Sequence, residues 1–249
     1  MLLVMPIEWK KCQVSKAPIV LAVDTPELKT AVEWVKATHG LISVYKLGLE
    51  FFLSFGSSGV RAIQEETDAD IFLDLKLHDI PHTVSGATKA IANLAPKYLT
   101  VHASGGAAMI RAAANAIPGS LITGVTILTS LGDSDVKSIG YEEPALESAV
   151  RLANLAVASG ARAIVCSPLE ITAIRKAIGS ETIIITPGVR PAGATKVDDQ
   201  VRTMTPGDAI SAGASLVVIG RPITQNWMNG SSAMREAAAE ISAQLLISE

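Results

Sequence analysis

The chain has 249 residues, 49% hydrophobic but only 4% aromatic, and a formal net charge of −3. A core built from Ala, Val, Ile and Leu suits parallel strands buried on both faces, and the slightly acidic balance speaks against a nucleic-acid binder, which carries a basic face. No apolar run reaches the roughly 18 residues of a membrane span, and the opening MLLVMPIEWKKC lacks the basic start and small-residue cleavage site of a signal peptide.

The chain reads as cytoplasmic, with no membrane association expected. Cys12 and Cys166, isolated and without metal spacing, read as free thiols.

Strand-like runs recur at 19–23, 43–47, 70–73, 98–102, 121–127, 163–166, 182–186 and 216–219. Helical patterns fall at 26–38, 50–67, 81–94, 106–116, 144–159, 168–178, 206–212 and 231–246. Strands that alternate with helices mean βαβ units and a parallel sheet. Eight such units are the count of a closed (β/α)8 TIM barrel in one domain. The competing open doubly wound sheet would want a GxGxxG after the first strand, and none is there. Residues 1–17 read as an N-terminal extension. Two connections are long for tight turns, 129–143 and 188–205. The second, GVRPAGATKVDDQVRTMT, is irregular and charged. Loops of that kind in compact domains are commonly functional, and 188–205 reads as a mobile active-site lid.

The densest chemistry lies in IFLDLKLHDIPHT, from Ile71 to Thr83. A buried strand ends there in Asp74, Lys76 and Asp79, and alternation sends Asp74 and Lys76 to the same side. Charges at the end of an apolar strand must reach a cleft, water or partners. Barrel chemistry sits at the C-terminal strand ends, which here offer Asp24, Tyr45 and Lys46, Asp74 and Lys76, His102 and Ser104, Thr129 and Ser130, Thr186, Pro187 and Arg190, and Gly220 with Arg221. One subsite is a charge cluster of Asp24, Lys46, Asp74 and Lys76. The other is Gly220–Arg221, an amide and a guanidinium near a helix start, suited to phosphate, with Arg190 able to close on the same anion.

Each residue also has a plainer reading. Asp24, before Thr25 and Pro26, can cap the next helix. Lys46 can snorkel to the surface. Gly220–Arg221 can be a helix-start turn with a solvated arginine. His102 reads as a packed mouth residue. His78 and His82 are four apart, but Pro81 intervenes and no third ligand is placed, so no metal site is expected.

The motif DLKLHDIP at 74–81 resembles the DxKxxD signature of the orotidine 5′-monophosphate decarboxylase family. AVD at 22–24, the Lys46 strand, VHASGG at 101–106, LTSL at 128–131, TPGVRP at 186–191, the Gln200 segment, MTP at 204–206 and IGRPI at 219–223 follow the same family pattern in order. DxKxxD alone is shared with sister sugar-phosphate decarboxylases and synthases; the ordered set is specific. One departure is His82, where the pattern usually has Asn.

The resemblance implies a homodimeric barrel with shared active sites that converts orotidine 5′-monophosphate to UMP and CO2 in pyrimidine biosynthesis, without cofactor or metal. It implies Lys76 as proton donor, Asp74 beside the substrate carboxylate, Asp79 reaching the partner's site and Lys46 completing a chain of alternating charges. Asp24 would hold the ribose, Thr129 the pyrimidine edge, and Arg190, Gly220 and Arg221 the phosphate. Gln200 would bridge phosphate and base, and Thr83 and Pro187 would complete the substrate contacts. A magnesium-dependent sugar-phosphate enzyme and a catalytically dead phosphate-binding barrel are the rival readings.

Overall fold

A computed structural model describes residues 16–190 and 204–246. Eight strands, β1 (Ala17–Ala22), β2 (Ile42–Gly48), β3 (Asp70–Leu77), β4 (Tyr98–His102), β5 (Leu121–Val125), β6 (Ala163–Val165), β7 (Ile183–Thr186) and β8 (Leu216–Ile219), pair in parallel and close in sequence order into a barrel. Around it lie α1 (Leu28–Thr38), α2 (Leu49–Gln64), α3 (Pro81–Ala90), α4 (Gly106–Ala116), α5 (Asp133–Ser138), α6 (Ala145–Ala158), α7 (Ile171–Ile178), α8 (Pro206–Ser211), α9 (Arg221–Thr224) and α10 (Ser231–Leu246). No helix among the described residues is long and apolar enough to cross a membrane.

Side-chain alternation divides the core into two. Val20, Val44, Phe72, Tyr98, Ala163, Ile185 and Leu216 fill the barrel interior. Their neighbours Ile19, Leu21, Tyr45, Leu73, Leu99, Ile164, Ile184 and Val217 face outward into the helical layer. Helix α1 answers with Ala31, Trp34, Val35 and Thr38, buried at the spacing of one helical face. Register then sets the height of each side chain. Ala22 pairs with Lys46, Lys46 with Phe72, and Phe72 with Tyr98. Asp24 stands two residues beyond Ala22 and Asp74 two beyond Phe72, while Lys46 lies in the row itself and its long side chain reaches up between them. That brings Asp24, Lys46 and Asp74 together at one rim.

All eight strands fall where the hydrophobic runs predict them, but several boundaries move. Strand β3 continues past 73 to Leu77. Helix α1 begins at Leu28, two residues after Pro26. The predicted helix at 81–94 ends at Ala90 and yields to a 3-10 turn. Helix α2 is broken at Gly56, whose φ of 55° is open to glycine far more readily than to other residues. The connection 129–143, expected as a loop, holds a short helix, α5; Asp135 accepts the Gly132 N–H at 2.9 Å and caps it. The extension expected at 1–17 lies outside the described residues as far as residue 15. Ala17 already opens β1, and Lys16 pairs with Asp68 at 2.6 Å. Of the loop 188–205, residues 191–203 and with them Gln200 lie outside the described residues. Its two ends are joined by a bridge between Val189 and Met204, and the Arg190 N–H donates to the Met204 carbonyl at 2.9 Å.

At the opposite end of the barrel Arg175 gathers three chain segments. Its Nε and Nη2 donate to the Gly213 carbonyl at 3.0 and 2.8 Å, Nη2 to Ser215 Oγ at 3.1 Å, and Nη1 to the carbonyls of Gly179 and Thr182 at 2.8 and 2.7 Å. A rigid fork of donors can tie the end of α7 to the starts of β7 and β8, where an ammonium cannot reach both sides. Thermal denaturation of Arg175→Ala should show a loss of roughly 2–4 kcal/mol, because several carbonyls lose a charged partner together. Arg175→Lys should recover only part of it. A melting temperature unchanged in Arg175→Ala would show the clamp to be dispensable.

Candidate active site

Four ionised side chains form a line across the mouth. Asp24 follows β1, Lys46 is on β2, and Asp74 and Lys76 are on β3. Lys46 Nζ lies 3.5 Å from Asp24 Oδ1 and 3.6 Å from Asp74 Oδ2, and Lys76 Nζ lies 2.8 Å from the same Asp74 oxygen. Asp74 is only 9% exposed. Burial by itself would push its carboxyl up; the charges of Lys46 and Lys76, with hydrogen bonds from Lys76 and Thr100, outweigh burial and hold it below the usual carboxylate range. Asp24 does not cap α1, whose first turn has no side-chain cap; it pairs with Lys46. Lys46 does not snorkel: its side chain is 13% exposed and stretched between two carboxylates. Gly48 leaves them room, since a Cβ there would come within 3.3 Å of both Asp24 Oδ1 and Lys46 Nζ.

Asp74 and Lys76 meet, but not by the simple alternation expected of a regular strand. The pairing of β3 with β4 steps from Leu73 opposite Leu99 to Leu77 opposite Val101, four residues against two. Lys76 sits in this bulge with φ at 49°, left-handed and uncommon outside glycine. A bulge re-aims a side chain, and here Lys76 folds back onto Asp74. Thr100 holds the arrangement from β4. Its Oγ1 accepts the Lys76 N–H at 2.8 Å and donates to Asp74 Oδ1 at 3.0 Å. Neither Thr100 nor Gly48 was singled out from the sequence. The available signal for Thr100 was a hydroxyl between Tyr98 and His102 on the inward face of an otherwise apolar strand.

The line of charges borders a cavity of about 500 Å³. Asp24, Lys46, Asp74, Lys76, Thr129, Pro187, Arg190, Gly220 and Arg221 all line it, so the structure brings nine of the expected residues together. Val125, Ile127, Val165 and Val218 give the cavity an apolar wall, with Phe72 also lining it; Val125 and Val165, on β5 and β6, lie between the charged strands and the segment after β7. Cys166 lines it too, but burial, then Glu170, pushes its thiol up to about 12, so it stays a neutral packing group.

Asp79 and Thr83 are exposed and absent from this lining; Asp79 Oδ1 accepts the Ile80 N–H at 2.6 Å. His102 packs against His78 with ring centroids 5.3 Å apart, and burial, with His78 and Lys76 beside it, holds its imidazole below the ordinary value. Among the described residues no group of three or more metal-ligating side chains is assembled.

The cavity is therefore cationic at one end, apolar along one wall and lined with alternating charge at the other end. It suits a flat ring that carries a phosphate and a second anionic group. The chain as a whole is similar to known proteins. The family model described as "Orotidine 5'-phosphate decarboxylase / HUMPS family" matches residues 17–237. The orotidine 5'-phosphate decarboxylase of Thermobifida fusca is 49% identical over 89% of this chain and 95% of that protein, and that of Paramagnetospirillum magneticum 42% identical over 92% and 98%. The crystal structure of orotidine 5'-phosphate decarboxylase from Lactobacillus acidophilus superposes with a TM-score of 0.78 at 31% identity, covering 92% of this chain and 99% of that one. The corresponding Pyrococcus horikoshii structure gives 0.73 at 25% identity, covering 92% and 99%. With the family match and the shared fold both extending over most of its length, this chain belongs to the orotidine 5′-phosphate decarboxylase / HUMPS family.

Proposed function

We propose that this chain decarboxylates orotidine 5′-monophosphate to UMP and CO2 in pyrimidine biosynthesis, with Lys76 as proton donor. The carrying observation is the Lys76 ammonium, 2.8 Å from a buried carboxylate at the edge of a cavity with an apolar wall. In this reaction the bond between the ring and its carboxylate breaks. CO2 leaves, and the electron pair stays on the ring carbon, in the ring plane, where the π system cannot spread it. A fixed positive charge in a water-poor site stabilises that pair far better than solvent does. Lys76 then gives the carbon a proton and later takes one back from water. Asp74 keeps the Lys76 ammonium aimed, and its own charge crowds the substrate carboxylate until CO2 departs. No cofactor or metal is invoked.

The remaining roles follow the lining of the cavity. Asp24 meets the ribose, Thr129 the pyrimidine edge, Pro187 the ring, and Arg190, Gly220 and Arg221 the phosphate. Asp79 and Thr83, exposed on their own subunit, act in a homodimer by completing the partner's site; exposed Ile80, 66% accessible, is an apolar contact for the same interface. Turnover of orotidine 5′-monophosphate followed by ultraviolet absorbance in EDTA tests the whole reading. Activity confined to magnesium and a keto-gulonate phosphate would assign the chain to the sugar-phosphate branch instead.

Three outcomes are expected beyond that assay. Lys76→Ala should lose roughly 10³-fold or more in kcat/KM, since proton donor and electrostatic anchor go together, while the folded protein still binds UMP. Turnover near wild type would remove Lys76 from the chemistry.

Mixed Lys76→Ala and Asp79→Ala proteins, each inactive, should regain activity, because one site of the mixed dimer holds both intact residues. Demonstrated subunit exchange without recovery would confine Asp79 to its own subunit.

Arg221→Ala should lower kcat/KM on orotidine 5′-monophosphate by on the order of 10²-fold, the scale of a lost charged contact, and barely alter the slow reaction of orotidine, which has no phosphate to hold. Equal losses on both substrates would place Arg221 outside the phosphate site.

A further inference from the structure

We infer that Thr100 is a positioning residue of this site: its single hydroxyl fixes both the Asp74 carboxylate and the backbone that carries Lys76. The inference rests on the decarboxylase reading and deepens it. Thr100 is fully buried and does not line the cavity, so it acts through its neighbours.

A hydroxyl has one proton to give and lone pairs to accept with, and both capacities are used. The proton goes to Asp74 Oδ1 at 3.0 Å. That pins the carboxylate plane and leaves Oδ2 for Lys76 Nζ at 2.8 Å and Lys46 Nζ at 3.6 Å. The lone pair takes the Lys76 N–H at 2.8 Å. At that point β3 has slipped out of register with β4, and Lys76 is left-handed at φ 49°. A conformation disfavoured outside glycine persists only where its surroundings hold it, and a buried N–H needs an acceptor. Thr100 supplies the acceptor. One hydroxyl therefore couples the bulge that aims Lys76 to the carboxylate that receives it. An ordinary strand threonine satisfying its own hydroxyl would need only one of these bonds.

Thr100→Val keeps the branched shape that suits a strand and removes the hydroxyl. It should cut kcat roughly 10–100-fold, as for a lost hydrogen bond to a charged group, with KM and the Kd for UMP within about threefold of wild type. Thr100→Ser should restore most of the loss. The second readout is the Asp74 carboxyl carbon followed by 13C NMR across pH, without substrate. Its midpoint should rise in Thr100→Val, because the groups around it, Asp24 after β1, Lys46 from β2, Lys76 on β3, and His78 and His102 beyond, are unchanged and only the hydroxyl is gone. An unchanged kcat with an unmoved midpoint would overturn the inference, as would a serine variant no better than valine. If Thr100→Val does not fold, Thr100→Ala is read against the same two criteria. Failure of wild type to turn over orotidine 5′-monophosphate would fall on the decarboxylase reading, while the Asp74 titration still reports on the hydroxyl.

Discussion

The mouth of this barrel is governed by one buried negative charge. An isolated carboxylate in the position of Asp74 would be neutralised rather than stay charged, yet Asp74 is held below the usual carboxylate range. It needs Lys46 and Lys76 on one oxygen and Thr100 on the other. Those partners come from three adjacent strands, and Lys46 in turn requires Asp24 after a fourth. The register of β1 to β4 therefore has to be right before the charge can be accommodated, and a one-residue slip would turn the partners outward. Linkage gives the sign: a carboxyl depressed in the folded state adds stability above its unfolded value, near pH 4, and that contribution is lost as pH falls through the folded value.

Charge balance explains why the network can be both stable and reactive. Asp24, Lys46, Asp74 and Lys76 sum to zero, so the cluster is neutral as a whole. Its terminal member, Lys76, has one carboxylate at 2.8 Å and a side chain still 29% exposed toward the cavity. A positive charge fixed there before the substrate arrives requires no reorganisation when charge develops on the substrate. The left-handed backbone at Lys76 is the cost of that aim, of order 1–3 kcal/mol, and it is borne at the one position where the side chain direction matters most.

How far this was legible from the sequence depends on what kind of order each part needs. The strands were readable because a parallel barrel buries both faces and leaves continuous Val/Ile/Leu runs such as those at β1, β7 and β8. The rim charges were readable because Asp74 and Lys76 interrupt such a run. The bulge was not, since a two-residue alternation assumes a regular strand, and nothing in Leu73 to Leu77 marks the slip. Thr100 is hard to read for a related reason: threonine is a favoured strand residue in its own right, so a hydroxyl on the inward face is only a weak sign of a second role. Helix α5 was missed because six residues are too few to show a period. The start of α1 was misplaced because Pro26 suits a first helical turn, yet the helix enters only at Leu28.

The barrel also divides its labour around the circumference. Strands β1 to β3 carry the ionic line, β4 supports it with the Thr100 hydroxyl, β5 and β6 add an apolar wall of Val125 and Val165, and the segments after β7 and β8 add Arg190 and Arg221. On the β5–β6 side that wall parts the two charged regions, while on the other side β8 pairs with β1 and Arg221 follows the strand next to that of Asp24. A molecule that satisfies the whole cavity must span it, with an anion at the arginines and its reacting centre against Lys76. Binding strength is then gathered at one end and used at the other, an arrangement in which contacts remote from the chemistry can lower its barrier. In this chain the rim is the part that commits: its central charge, Asp74, is buried, its backbone is strained at Lys76, and its partners are fixed by register.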